Sequence, residues 1–247
     1  MELSVRDLAT IFKVPERQIF RWINEDGLPS REIDGRPYFN QIELLEWAIT
    51  RGHGFSPAIL QESPRPANEI PSTTSTSLAQ ALENAGEFLR LGGRTKSEVL
   101  TRMVEGLTLP EGTDRENLLR LFLAREVKGS TAVGDGIAIP HPQHPVILPI
   151  PKPSVWICFL ATPVDFGSLD GLPIHTMFTM VCPTIRVHLR MLAQVAIALR
   201  DPPFRSAVVR RASRETILKE AARLDRTTTS TTNLSQPAST VASSESV

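Results

Sequence analysis

Cysteine occurs only twice in the 247 residues, as Cys158 in an apolar run and Cys182 before Pro183. Neither has a partner at metal-ligand spacing, so both read as core residues of a protein kept in a reducing compartment. Net charge is absent as well. The 27 lysines and arginines balance 27 acidic residues, so no bulk field draws the chain to nucleic acid or anionic lipid. No apolar stretch approaches the ~20 residues needed to span a bilayer. Glu2, Arg6 and Asp7 interrupt any signal-peptide pattern. A cytoplasmic chain without membrane insertion is expected, and its hydrophobic content of 41% is ordinary for a globular protein.

Composition shifts twice, dividing the chain into 1–52, 53–77, 78–225 and 226–247. Residues 53–77 are rich in proline and short polar side chains and read as a flexible linker. Residues 226–247 are mostly Ser, Thr, Ala and Asn and read as a disordered tail. In the first folded segment, Ser4-Val5-Arg6-Asp7 has the pattern of a capping box ahead of Leu8, Ala9, Ile11 and Phe12. Val14-Pro15 starts a second helix through Ile19, Trp22 and Ile23. Ile33 to Phe39 reads as two short strands about Asp34-Gly35, and Asn40 caps a third helix through Leu44, Leu45 and Trp47. Helix, turn, helix, small wing, helix is the order of a winged helix-turn-helix, and the segment resembles the excisionase/MerR-like DNA-binding domains. That resemblance puts Arg17, Gln18 and Arg21 of the second helix at base edges or phosphates. Against it, residues 1–52 hold seven basic and nine acidic side chains, a net charge of −2, whereas strong DNA binders show a basic face.

The second segment alternates helical and extended patterns. Leu78, Leu82, Ala85 and Leu89 recur at helical spacing, as do Val99, Leu100, Met103, Val104 and Leu107. Asp114 caps a third helix bearing Leu118, Leu119, Phe122 and Leu123. Strands are expected at 136–139, 154–160 and 174–181. A long helix follows from about Thr184 to Leu199, stopped by Asp201-Pro202-Pro203, and then a last helix with Ile217, Leu218, Ala221 and Leu224. The two later strands are near-continuous apolar runs, as in strands covered on both faces. The fold class is α/β, a mixed β-sheet flanked by helices with the small N-terminal domain attached.

The chemistry centres on Gly136-Ile137-Ala138-Ile139-Pro140-His141, a short apolar run ending in Pro-His. Upstream stand Leu123-Ala124-Arg125-Glu126, Gly129-Ser130-Thr131 and Gly134-Asp135. Downstream stand Pro163-Val164-Asp165-Phe166, Asp170-Gly171-Leu172-Pro173-Ile174-His175 and His188-Leu189-Arg190-Met191-Leu192-Ala193. This set, over nearly all of 78–225, resembles the enzyme IIA domains of the phosphoenolpyruvate-dependent phosphotransferase system, fructose–mannitol and nitrogen-regulatory class. The resemblance implies two successive phosphoryl transfers, from the phosphocarrier HPr to His141 and from His141 to an enzyme IIB domain or a regulatory target, with no cofactor. Imidazole suits the work because it is nucleophilic near pH 7 and its N–P bond stays labile. The family bonds phosphorus through Nε2; the sequence leaves the nitrogen open.

Arg125 matches the family's active-site arginine, a bidentate partner for phosphoryl oxygens; its plainer reading is a cation at a helix C-terminus. His188 matches a second active-site histidine that donates to the phosphoryl group, or is a half-buried helix residue. Ser130 and Thr131 supply donors or cap a turn. His144 reads as an exposed loop residue and His175 as structural, and the spacing 141/144/175/188 has no standard zinc pattern. In one departure, Pro142 stands where many relatives have glycine, and it offers no amide to a phosphate. Two other readings stand beside the regulatory phosphocarrier: a DNA-binding regulator with the IIA fold as sensor, and a IIA supplier to a separate sugar permease.

Overall fold

The computed structural model describes residues 2–56, 76–142 and 147–233. The N-terminal part runs β1 (Glu2–Ser4), α1 (Val5–Phe12), α2 (Glu16–Glu25), β2 (Arg31–Ile33), β3 (Arg36–Asn40) and α3 (Gln41–Thr50). Its strands form an antiparallel sheet in the order β1-β3-β2. Ser4 and Asp7 close the expected capping box at α1, and the Asn40 side chain accepts from Ile42 N at 2.9 Å to start α3. Asp34 and Gly35 both have positive φ (50° and 71°), the conformation a two-residue hairpin needs. The added strand β1 is too short to be legible from its residues alone. Phe12, Trp22 and Trp47 meet edge to face or tilted, with centroids 5.2, 6.1 and 5.3 Å apart. His53 stacks on Trp47 at 4.5 Å, and Ser56 N donates to Ile11 O at 2.8 Å. His53 and Ser56, inside the segment read as a linker, are thus tied to the N-terminal part; residues 57–75 lie outside the described residues.

The larger part contains α4 (Leu78–Ala85), β4 (Leu89–Leu91), α5 (Lys96–Gly106), α6 (Arg115–Val127), β5 (Ala132–Gly134), β6 (Ile137–Ala138), β7 (Ser154–Val164), β8 (Ile174–Val181), α7 (Ile185–Ala198), α8 (Pro202–Val209) and α9 (Arg214–Asn233). Five strands form one mixed sheet in the order β4-β7-β8-β6-β5, with β4·β7 and β6·β8 parallel and the other pairs antiparallel. Alternation along β7 builds both layers. Val155, Ile157 and Phe159 enter the core shared with α4, α7, α8 and α9, while Trp156, Cys158 and Leu160 enter the core under α5 and α6. Burial raises the thiol pKa of Cys158 and of Cys182, and both cysteines are core residues.

Several elements differ from the expectation. Leu89 continues the helical spacing of α4 but lies in β4, because Gly86 (φ 81°) ends the helix three residues earlier. β5 was not legible, being three residues beside glycine. Asp201-Pro202-Pro203 does stop α7, yet it also starts α8: Asp201 accepts from Phe204 N, and proline suits the first turn. α9 continues to Asn233, eight residues into the segment read as disordered, since no glycine or proline interrupts it before Pro237. Residues 234–247 lie outside the described residues.

The two parts share a core. One apolar cluster runs from Phe39 and Leu44 to Ile137, Ile139, Val187 and Leu192. α3 packs on α7 and β5, and at the far end of α7 the Arg200 guanidinium lies over Gly54.

Gly136 (φ 69°) turns β5 into β6, and a Cβ there would lie 2.4 Å from the His175 ring and 3.0 Å from Pro173 O. Gly35 has nearly the same φ, 71°, but open space around it. Gly136→Ala should therefore cost about 2–4 kcal/mol, the left-handed penalty plus overpacking, and Gly35→Ala only about 1–2. Urea unfolding checks both, and equal losses would refute the close-approach argument.

Candidate active site

His141 sits just past β6. Ile139 N donates to Thr131 O at 2.9 Å, Pro140 fixes the next φ, and the imidazole is only 5% exposed. Its Nδ1 lies 2.6 Å from Ile139 O. A carbonyl can only accept, so Nδ1 carries a proton, and Nε2 is the nitrogen turned to the site.

Arg125, in the last turn of α6, is 8% exposed and donates from Nη1 to Gly129 O at 3.0 Å. Its neighbour Glu126 is buried and accepts from Thr131 N at 3.2 Å and Thr131 Oγ1 at 2.8 Å, with Lys96 Nζ at 3.3 Å. Arg125 thus grips Gly129 while Glu126 grips Thr131, whose carbonyl holds Ile139. The guanidinium and the imidazole are set by one continuous chain of hydrogen bonds. Ser130 accepts from Ala132 N at 3.2 Å, the turn-capping alternative.

His188, in the first turn of α7, is 2% exposed, and its ring centroid is 6.3 Å from that of His141. Its Nε2 has no hydrogen-bond partner. Burial chiefly, with the charge of His141 adding to it, lowers its pKa to about 3, so the ring stays neutral. His175 lies elsewhere, half-buried against Gly136 with Nδ1 2.8 Å from Thr176 Oγ1, a structural position. His144 falls outside the described residues. Among the described residues no group of three or more His, Cys, Asp or Glu could hold a metal ion.

The remaining member of the site is Glu46, from α3 of the N-terminal part. Its Oε2 is 3.1 Å from both Nε and Nη2 of Arg125, and its Oε1 is 2.9 Å from His141 Nε2. The second contact is close but off the line of a straight hydrogen bond, leaving both atoms without a proper partner. Burial alone would raise the Glu46 carboxyl; the imidazole and guanidinium beside it outweigh that and hold it below the usual carboxylate value. No motif marks Glu46. The one available signal is that α3 carries Ile42, Leu44, Leu45, Trp47, Ala48 and Ile49, too apolar all round for a helix buried on one side. A cleft lined by Glu43, Trp47, Arg125 and Gly129 opens on the guanidinium side but does not include His141.

The residues expected at DNA lie far from this cluster in character. Arg17 is exposed, Gln18 is half-buried, and Arg21 is paired with Glu25 at 2.6 Å.

The neutral, buried His188 predicts acid sensitivity. Unfolding frees it to bind a proton below its usual value near 6.5, whereas the folded chain refuses one until about 3. The unfolded state therefore binds more protons across that window, and stability falls as pH drops through it, by at most about 1.4 kcal/mol per pH unit from this group. His53 and His175, also lowered by burial, act in the same direction. Denaturant midpoints between pH 7 and 5 should fall more gently in His188→Gln than in wild type; parallel curves would refute it.

The family described as phosphoenolpyruvate-dependent sugar phosphotransferase system, EIIA 2, matches residues 85–222. A nitrogen regulatory protein of Pseudomonas aeruginosa is 33% identical over 126 residues, covering 49% of this chain and 79% of its own. One from Bradyrhizobium diazoefficiens is 33% identical over 109 residues, covering 43% and 69%. The fructose-specific EIIABC component of Bacillus subtilis is 29% identical over 134 residues, covering 53% and 20%. Among solved structures, the nitrogen regulatory protein IIA-Ntr of Neisseria meningitidis has the same fold, with a TM-score of 0.50 at 21% identity over 58% of this chain and 98% of its own. With more than half of its length so matched, the chain belongs to the EIIA type 2 family of the phosphoenolpyruvate-dependent sugar phosphotransferase system.

Proposed function

We propose that this chain is a regulatory phosphocarrier in which His141 Nε2 accepts a phosphoryl group from phospho-HPr and gives it to an enzyme IIB domain or a regulatory target. The observation that carries the reading is the hydrogen bond from His141 Nδ1 to Ile139 O, 2.6 Å long. It turns Nε2 to the place where Arg125 already holds an anionic oxygen, and with Nδ1 protonated an unprotonated Nε2 is the nucleophile. In the forward step Nε2 attacks phosphorus, the new N–P bond forms as the donor's N–P bond breaks, and the donor nitrogen keeps the electron pair. Arg125 offsets the charge on the phosphoryl oxygens in a loose transition state. His188 donates from Nε2, the atom without a partner. Because it stays neutral it carries a single N–H, and that proton then belongs on Nε2. Pro142 supplies no amide, so Arg125 and His188 carry more of the phosphoryl contacts here than in relatives with glycine.

Regulation is favoured over sugar uptake by the names of the relatives from Pseudomonas and Bradyrhizobium. It is also favoured by the N-terminal part, whose helix order fits a winged helix-turn-helix. A second reading, a DNA-binding regulator with the IIA fold as sensor, draws on the outward face of α2, where Arg17 and Phe20 are exposed. The Arg21–Glu25 pair weakens that face for phosphate.

Intact mass after incubation with phosphoenolpyruvate, enzyme I and HPr tests the leading reading. Wild type should gain one acid-labile phosphoryl group and His141→Ala none. A gain in His141→Ala would overturn the site, and no gain in either would favour the second reading. For that second reading, the full chain should retard duplex DNA at low salt, with retardation lost as salt rises; no retardation at any salt would remove it.

A further inference from the structure

We propose that Glu46 is a built-in stand-in for the phosphoryl group, so that the N-terminal domain caps His141 when the histidine is unphosphorylated and is expelled when it is phosphorylated. The inference rests on the phosphocarrier reading and adds its control.

Three observations converge. The first is placement. The Glu46 carboxylate lies between the nucleophile and the cation, with Oε1 2.9 Å from Nε2 and Oε2 3.1 Å from two guanidinium nitrogens of Arg125. A phosphoryl group on Nε2 needs the same space and the same arginine. The second is access. His141 is 5% exposed, and the cleft between the two parts opens on Arg125 without reaching the imidazole. HPr must bring a phosphorus atom into line with Nε2, and α3 stands in that path. The third is the cover itself. It is continuous with the apolar core, from Phe39 and Leu44 across to Ile139 and Val187, and reaches the far end of α7 at Arg200. The N-terminal domain therefore binds the unphosphorylated site with an apolar surface and one carboxylate.

Phosphorylation reverses the balance. It adds about −1.5 to −2 charges at Nε2, directly against the Glu46 carboxylate. Arg125 turns to the phosphoryl oxygens, and Glu46 is left as a buried carboxylate with no partner beside a dianionic group, a cost that exposure to water relieves. Since docking and phosphorylation compete for one site, each weakens the other by the same factor.

The test uses the full-length chain as wild type, Glu46→Gln and Glu46→Ala. The first readout is the rate of phosphoryl acceptance from phospho-HPr. The second is carbethoxylation of His141 by diethyl pyrocarbonate, resolved by peptide mass spectrometry. Both variants should accept phosphate on the order of tenfold faster than wild type, within the usual range of such couplings, and reach the same stoichiometry. Unphosphorylated wild type should protect His141 from carbethoxylation and both variants should lose that protection, while His175 reacts alike in all three. Small-angle scattering should show a larger radius of gyration for phosphorylated than for unphosphorylated wild type. Equal acceptance rates, equal carbethoxylation or an unchanged radius would each overturn the proposal. If no form is phosphorylated, the phosphocarrier reading and phosphoryl-driven release both fall, while carbethoxylation still decides whether Glu46 caps the histidine.

Discussion

The hydrogen bond from His141 Nδ1 to the Ile139 carbonyl is the constraint on which the site depends. In energy it is an ordinary bond, worth about 1 kcal/mol net. Its larger effect is to place a proton on Nδ1, and so to set which nitrogen attacks phosphorus in the proposed function. The bond exists because β6 ends where it does. That strand is only two residues long, but it lies inside the sheet between β8 and β5, so neither edge can move. The turn leading into it passes so close to His175 that only glycine fits at 136. Side chains positioned by rigid elements hold their geometry better than those on loops, and here only Ile139 and Pro140 separate the histidine from an interior strand.

The buried cluster of Glu46, Arg125 and His141 obeys a different rule. Taking an ionised carboxylate out of water costs several kcal/mol unless both oxygens are engaged. Oε2 is well served by the guanidinium; Oε1 has a close but poorly aligned neighbour. Such a cluster contributes little net stability while intact, yet it is expensive to break by removing one partner. Apolar contact along α7 holds the N-terminal domain in place, and in the proposed control the carboxylate decides when that contact is tolerable. Division of labour between a non-specific apolar surface and one specific charge is what makes a docking equilibrium responsive to a single covalent event.

Much of this was legible from the residues. Caps at Ser4, Asn40 and Asp114 follow from local hydrogen bonding, and the apolar runs of β7 and β8 follow from burial on both faces. His141, Arg125 and His188, expected together from motif resemblance, do lie around one point. The failures share a cause. β1, β4 and β5 are three residues each, held by pairing partners distant in sequence, and three residues carry no period. Pro202 and Pro203 look like a stop because proline ends helices, but their position after Asp201 makes them a start. Glu46 is the extreme case. It is 79 residues from Arg125, and the pairing depends on how two parts distant in sequence meet, a relation that no local pattern encodes. Only the excess of apolar residues on α3 hinted that the helix had a second neighbour.

A carboxylate suits this position because it resembles a phosphoryl group in sign and in its oxygens but not in charge density or permanence. It is planar, carries one charge, and is tethered to a helix rather than to the imidazole. It satisfies Arg125 well enough to keep the guanidinium from being buried unpaired, yet a group of nearly twice the charge bonded to Nε2 displaces it. The IIA sheet itself need not change shape. The rigid strand, the tautomer and the arginine stay as they are, and the information passes through occupancy of one small anion site. By linkage, whatever ligand or partner holds the N-terminal domain in its released state raises the phosphoryl affinity of His141 by the factor through which phosphorylation favours that release. On the proposed function, a regulator built this way reports the phosphorylation state of the carrier and also sets it.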